Sequence, residues 1–153
     1  MIPAAFGTYA LVLACASARR LRIGRLGLLY LHPGCYVYVG SAFGTGGLRA
    51  RISHHLRVAL RPHWHIDYLR RRARPEAVWY ISGARREHEW AELIGTMRGA
   101  AVPMLGFGSS DCDCPAHLFW FEDRPSAAAI QRAIAVRYAG RIGADKNHPP
   151  QCG

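Results

Sequence analysis

One lysine, Lys146, stands among the 20 basic residues of this 153-residue chain. No run of about 20 apolar residues exists, so no transmembrane helix of ordinary length is expected, and no membrane partner is expected either. Acidic residues are half as many as basic ones, 10 against 20, so the net charge is +10. That imbalance excludes a generic neutral surface and points to a polyanionic partner. Since the excess is arginine, a planar fork is available to grip phosphate at two points, although arginine-rich codon usage would give the same bias with no function attached. The cysteines are odd in number (Cys15, Cys35, Cys112, Cys114 and Cys152) and lack the framework of a secreted disulfide scaffold, so a reducing, cytoplasmic setting is expected. No Lys or Arg precedes the apolar start, and Gly7, Thr8 and Tyr9 interrupt it, so it does not read as an export signal. There is no internal repeat, no linker and no nucleophile-elbow motif for a Ser-His-Asp hydrolase.

What is present reads as a single mixed α/β (α+β) domain, a small mixed sheet flanked by helices. Alternation of Tyr9, Leu11 and Leu13 with Ala10, Val12 and Ala14 predicts a strand over Thr8 to Ala14. Arg20 to Leu31 reads as a hairpin turning at Gly24 to Gly27. His32-Pro33-Gly34 is a turn, and Cys35 to Val39 a strand with Tyr36 and Tyr38 on one face. After the Gly44 to Gly47 loop, Leu48 to Leu60 reads as a basic helix with a Leu48, Ile52, Leu56 stripe. His65 to Arg74 is a short helix closed by Pro75, and Ala77 to Ile81 a strand. Glu87 to Met97 is a helix with Trp90, Leu93, Ile94 and Met97 inward, and His117 to Phe121 a strand. Ser126 caps a last helix, Ala127 to Arg141, whose apolar side (Ala128, Ile130, Ile134) covers the core or makes a dimer contact. The tail from Asp145 reads as frayed. The expected division is a domain over residues 1–124, with 125–153 as a helix and tail packed on it or extending it.

The order of Gly7-Thr8-Tyr9 on one strand, Tyr38-Val39-Gly40 on a second, then a basic helix and a later acidic helix resembles the GIY-YIG nuclease superfamily. A closer likeness is to one branch, the domain of unknown function 123, found alone or fused to endonuclease III. It runs from residue 7 to about 121, on YVYVGSA (Tyr36 to Ala42), GGLRARISHH (Gly46 to His55), HWHIDYL (His63 to Leu69) and GFGSSDCDCPAHLF (Gly106 to Phe119). The resemblance implies a GIY-YIG-like domain with an inserted hairpin. It also implies two tyrosines facing one pocket (Tyr9, Tyr38), and an arginine and a histidine one helical turn apart (Arg51, His55). A glutamate on the later helix would hold Mg or Mn. Glu87 matches the branch pattern, three residues after Ala84 and three before Trp90. Glu89 is the alternative, roughly 200° further round a helix at 3.6 residues per turn, so only one of them can face the pocket. The implied activity is metal-dependent endonucleolytic hydrolysis of DNA, in DNA repair alongside endonuclease III-type enzymes; whether RNA is also a partner stays open. No later asparagine of the sort some relatives use near the metal is evident, Asn147 being a tail residue.

Phosphodiester hydrolysis needs a base for water, positive charge at the phosphorane and a metal at a phosphate oxygen. The resemblance makes Tyr9 the base. A free tyrosine is ionised about one part in a thousand at pH 7, and burial lowers that fraction. Arg51 must therefore depress the pKa, or the metal must supply activation, while His55 orients the nucleophile or protonates the leaving oxygen. Arg49 and Arg57, with His63, Trp64 and His65, are candidates for nucleic-acid contact, Trp64 by stacking on a base. The Gly106 to Ser110 loop offers N–H groups to a phosphate. His65 with Asp67, or Cys112, Cys114 and His117, suit zinc, against a structural alternative: His65 bonding at a helix start, Asp67 on backbone, and buried thiols behind the HLFWF strand. Two other functions stay open, a non-cleaving nucleic-acid-binding module and a zinc-stabilised accessory domain of a repair enzyme.

Overall fold

The structure, a computed structural model, describes residues 2–135 and 142–145. Strand β1 (Gly7–Cys15) is the middle of a five-stranded sheet. On one side of it lie β4 (Gly34–Ala42) and then β6 (Leu118–Phe121); on the other lie β5 (Arg74–Ser82) and then β7 (Ile142–Asp145). The expected sheet is present, but its ladders are antiparallel rather than mixed. The reason is topological. β4 and β5 share one direction, as a helical crossover between them requires, yet β1 lies between the two and opposes both. The expected hairpin forms a separate two-stranded sheet of β2 (Arg19–Ile23) and β3 (Gly27–Leu31), joined by a single 3-10 turn at Gly24–Leu26.

Alternation along the strands divides the core in two. Tyr9, Leu11, Leu13, Tyr36, Tyr38 and Val78 face a layer made by the hairpin, α1 (Gly47–His55) and α2 (His65–Leu69). Ala10, Val12, Val37, Val39 and Trp79 face the opposite layer, made by α3 (Glu87–Gly95) and α4 (Ala127–Ala135). Ser126 caps α4 through a 3.0 Å bond from the Ala129 N–H to its hydroxyl. Of the apolar side of α4, Ile130 and Ile134 are buried in this second core and Ala128 is exposed. The part of that helix expected over 136–141 lies outside the described residues, as do most of the tail and Asn147.

Three helix ends differ from those the sequence predicts, and β4 and β5 run longer than expected. α1 stops at His55 rather than Leu60, because Arg70 reaches across from the end of α2 and takes the carbonyls of His55 (2.6 Å) and Leu56 (3.3 Å). α2 ends at Leu69 rather than Arg74, since Arg74 and Pro75 already belong to β5. Proline is tolerated there because it sits near the start of β5, opposite Leu13, where the β1–β5 register shifts in an irregularity. α3 ends at Gly95, and Met97 packs against the core from just beyond it. Strand β7 has no counterpart among the elements expected from sequence.

Candidate functional site

Tyr9 of β1 and Tyr38 of β4 point to the same face, with ring centroids 6.3 Å apart. Each tripeptide glycine has a packing reason. Gly40 is the cross-strand partner of Tyr9, and a Cβ there would fall on the Tyr9 hydroxyl and 2.6 Å from its Cζ. A Cβ at Gly7 would strike the Ile81 carbonyl and come 2.8 Å from Leu48 of α1. Between them, Thr8 is fully buried. Its hydroxyl donates to the Ala84 carbonyl (2.9 Å) and accepts from the Arg86 N–H (2.8 Å), which fixes the chain just ahead of Glu87.

His55, at the end of α1, completes the centre. Its Nε2 lies 2.5 Å from the Tyr9 hydroxyl, and both residues are fully buried. Its Nδ1 has no hydrogen-bond partner and sits 3.9 Å from Asp67 Oδ1. Asp67, 1% exposed, accepts from His54 Nε2 (2.9 Å) through Oδ1 and from the N–H groups of His63 (2.8 Å) and Trp64 (3.0 Å) through Oδ2. The backbone role expected of Asp67 as the structural alternative is therefore present. The pairing of Asp67 with His65 for zinc is not: His65 Nδ1 instead accepts from the Gly108 N–H at 2.9 Å.

Burial dominates the titration of this cluster. It raises Tyr9 well above the ordinary phenol range, with Tyr38 adding to it and Arg51 pulling the other way. Burial raises Tyr38 also, again against Arg51. Arg51 thus acts in the direction expected but does not make a tyrosinate. Burial pushes His55 down to about 3, despite the Asp67 carboxylate, with His54, Arg51 and Arg70 adding to the fall. Burial would raise Asp67, but the Trp64 and His63 N–H groups and His54 outweigh it and hold the carboxyl low. An unfolded histidine takes up a proton near pH 6.5, so acidification favours the unfolded chain. The contribution of His55 to stability is complete above that pH and is lost as pH falls toward 3; that of Asp67 is lost in the same direction. Urea midpoints should therefore drop steadily from about pH 7.5 to 4.5, and a flat profile would show that His55 is not held neutral.

Around the centre the sequence candidates separate. The Arg51 guanidinium covers the Trp64 ring at 4.2 Å and donates to the Ser41 carbonyl at 3.2 Å. Trp64 thus has one face taken by arginine, and with Arg51, His54 and Arg57 it lines a groove of about 340 Å³. Arg49 points elsewhere, to the Ile2 carbonyl at 2.9 Å, and His63 is exposed. Glu87 opens α3 in the opposite layer, yet its charge reaches both Tyr9 and Tyr38. Glu89 is half-buried two residues on, and Glu92 is exposed. The Gly106 to Ser110 loop is a poor phosphate cradle. Its N–H groups from Gly106 to Ser109 are engaged by Pro115, Met104, His65 and Gly106. Cys112 and Cys114 are half-exposed rather than buried, and with His117 they meet a residue that sequence reasoning missed, His88 of α3. Two more were missed: His54, visible in sequence only as the first of two adjacent histidines, and Arg70, one of an arginine run.

Two groups of side chains among the described residues have the make-up to hold a metal ion: His88, Cys112, Cys114 and His117; and His54, His55 and Asp67. No helix among the described residues is long and apolar enough to cross a membrane. A model of the family described as domain of unknown function DUF123 matches residues 8–138. No curated protein and no solved structure matches the chain.

Proposed function

The chain belongs to the DUF123 family, and on that premise we propose that it is a metal-dependent endonuclease of the GIY-YIG type acting on DNA phosphodiester bonds. The observation that carries this reading is the Tyr9 hydroxyl at 2.5 Å from a neutral, buried His55, with Asp67 behind the far ring nitrogen. A phenol held far above its normal pKa cannot wait as tyrosinate. It can still act as a base if it hands its own proton to His55 Nε2 while taking one from water. The imidazolium so formed faces Asp67, whose charge offsets part of the cost that burial sets on it. His55 is fully buried, so on this reading it relays a proton from Tyr9 and does not reach a leaving group. Tyr38 stays a neutral hydrogen-bond donor beside the nucleophile. Arg51, between the tyrosines and the groove, meets the negative charge that develops on phosphate.

The single carboxylate of Glu87 fits a hard divalent ion such as Mg²⁺ or Mn²⁺, which binds through one or two carboxylates and keeps waters and phosphate oxygens as its other ligands. Such an ion supplies Lewis-acid polarisation of a phosphate oxygen. The groove beside Arg51, His54, Arg57 and Trp64 is the proposed path of the strand, with repair intermediates as the proposed substrate class.

Complete burial of Tyr9 and His55 favours one second reading, a non-cleaving nucleic-acid-binding module, because a base must meet water. One experiment separates them: single-stranded, duplex, flapped and branched DNAs with Mg²⁺, Mn²⁺ or EDTA, for wild type and Arg51→Ala. The nuclease reading expects metal-dependent nicking, reduced about 10²- to 10³-fold in the variant. Binding that weakens about 10³-fold between 50 and 200 mM salt, with no cutting under any metal, would overturn it in favour of the module.

A further inference from the structure

The segment between α3 and β6 is long and irregular, and what fixes its distal part is not an apolar core. Phe107 is buried in the first core, but the stretch from Ser110 to Pro115 carries two aspartates, two half-exposed thiols and no large hydrophobic residue. Loops of that length without regular structure are uncommon unless something else pins them. Here the chain brings Cys112, Cys114 and His117 back against His88 on the first turn of α3.

We propose that His88, Cys112, Cys114 and His117 form a tetrahedral zinc site that ties the 105–117 segment to the start of α3. One ligand atom from each residue lies within 4.8 Å of all the others. Two of the nitrogen–sulfur edges are 3.0 Å (His88 Nδ1 to Cys114 Sγ) and 3.5 Å (Cys112 Sγ to His117 Nε2). A tetrahedral ion with Zn–S near 2.3 Å and Zn–N near 2.05 Å sets such an edge at about 3.6 Å, so modest adjustments close the site. Two thiolates with two imidazoles select zinc over the hard ions expected at Glu87. The sequence spacing alone is too tight to be recognised, because C-x-C-x-x-H provides three ligands and the fourth is 24 residues before Cys112, on a helix.

The site has a consequence for its neighbour. Glu87 Oε1 lies 3.8 Å from His88 Nε2, the nitrogen that a zinc-bound ring would leave free to donate. Ligating histidines commonly present that second N–H to a carboxylate. Zinc at His88 therefore orients Glu87, whose charge reaches Tyr9 and Tyr38. The zinc proposal itself stands whether or not the chain cuts DNA.

The test is elemental analysis of the full chain purified without chelator, with cobalt substitution as an independent readout. Expected are about one zinc per chain in wild type and in His54→Asn, and at least a tenfold loss in His88→Ala and in the Cys112→Ser, Cys114→Ser double variant. Cobalt added to metal-depleted wild type should give the visible absorption of a tetrahedral thiolate complex, a readout that does not depend on any variant folding. Folded wild type without zinc and without that absorption would overturn the proposal, and so would full zinc retention in the double cysteine variant.

Discussion

Asp67→Ala is expected to cost about 3–5 kcal/mol of folding stability, more than a substitution at Gly40 or at Arg51. The carboxylate is 1% exposed and accepts from two backbone N–H groups and the His54 ring. Truncation orphans all three donors; the His54 ring, 32% exposed, can turn to water, but the uncompensated loss at the partly buried His63 and Trp64 N–H groups costs about 1–3 kcal/mol each. It also removes the negative charge facing His55. Asp67→Asn keeps an oxygen that can accept both N–H groups, so its cost should be about 1–2 kcal/mol. Urea unfolding of the two variants checks this. A loss below about 1 kcal/mol for alanine would mean that the N–H groups of His63 and Trp64 find water, and that the segment is far less rigid than its hydrogen bonds imply.

Gly40→Ala is the second. The new methyl group would occupy the space of the Tyr9 ring, 2.6 Å from Cζ. Neither side can yield easily, because Gly40 is laddered to β1 at Tyr9 itself and its neighbour Val39 is bonded to the His117 carbonyl at 2.9 Å. The ring must tilt, and the hydroxyl then leaves His55. Overpacking of this kind costs about 1–3 kcal/mol. On the nuclease reading, a displacement of about 1 Å at the base lowers cleavage about 10²-fold or more. DNA affinity should hold, since Arg57 and Trp64 are untouched. Wild-type cleavage by a folded Gly40→Ala protein would remove Tyr9 from the chemistry.

What could be read in the sequence was what neighbouring residues impose on one another. Two-residue alternation gave the faces within each strand, Tyr36 with Tyr38 and Tyr9 with Leu11, and the turn of α1 placed Arg51 and His55 together, because both periods are local properties of the backbone; that Tyr9 and Tyr38 share one pocket came from the family resemblance alone. The hairpin was legible because glycines at 24 and 27 bracket a reversal. The failures were tertiary. The end of α1 depends on Arg70, a residue indistinguishable in sequence from Arg71 and Arg72, and the strand at Pro75 depends on the irregular pairing of β5 with Leu13 and Ala14 of β1. His88 looks like an exposed helix residue until the loop carrying Cys114 folds back on it. For Tyr9 the sequence left two routes open, a lowering by Arg51 or activation by a metal, and the depth of burial that overrides Arg51 is not a sequence quantity.

The position of β1 has a further effect, on synthesis. It emerges before the other strands of its sheet and is almost wholly buried in the finished fold, yet both of its edges stay open until those strands arrive. Leu11 must wait for Tyr38 on one side and Val78 on the other. Until then the nascent chain carries a nine-residue strand of apolar and small residues with two unpaired edges, the arrangement most prone to pair with another chain. The intervening hairpin is made of local contacts and can form early, so it would bring β4 alongside before β5 leaves the ribosome. Destabilising that hairpin should therefore lower soluble yield more than it lowers the stability of protein already folded.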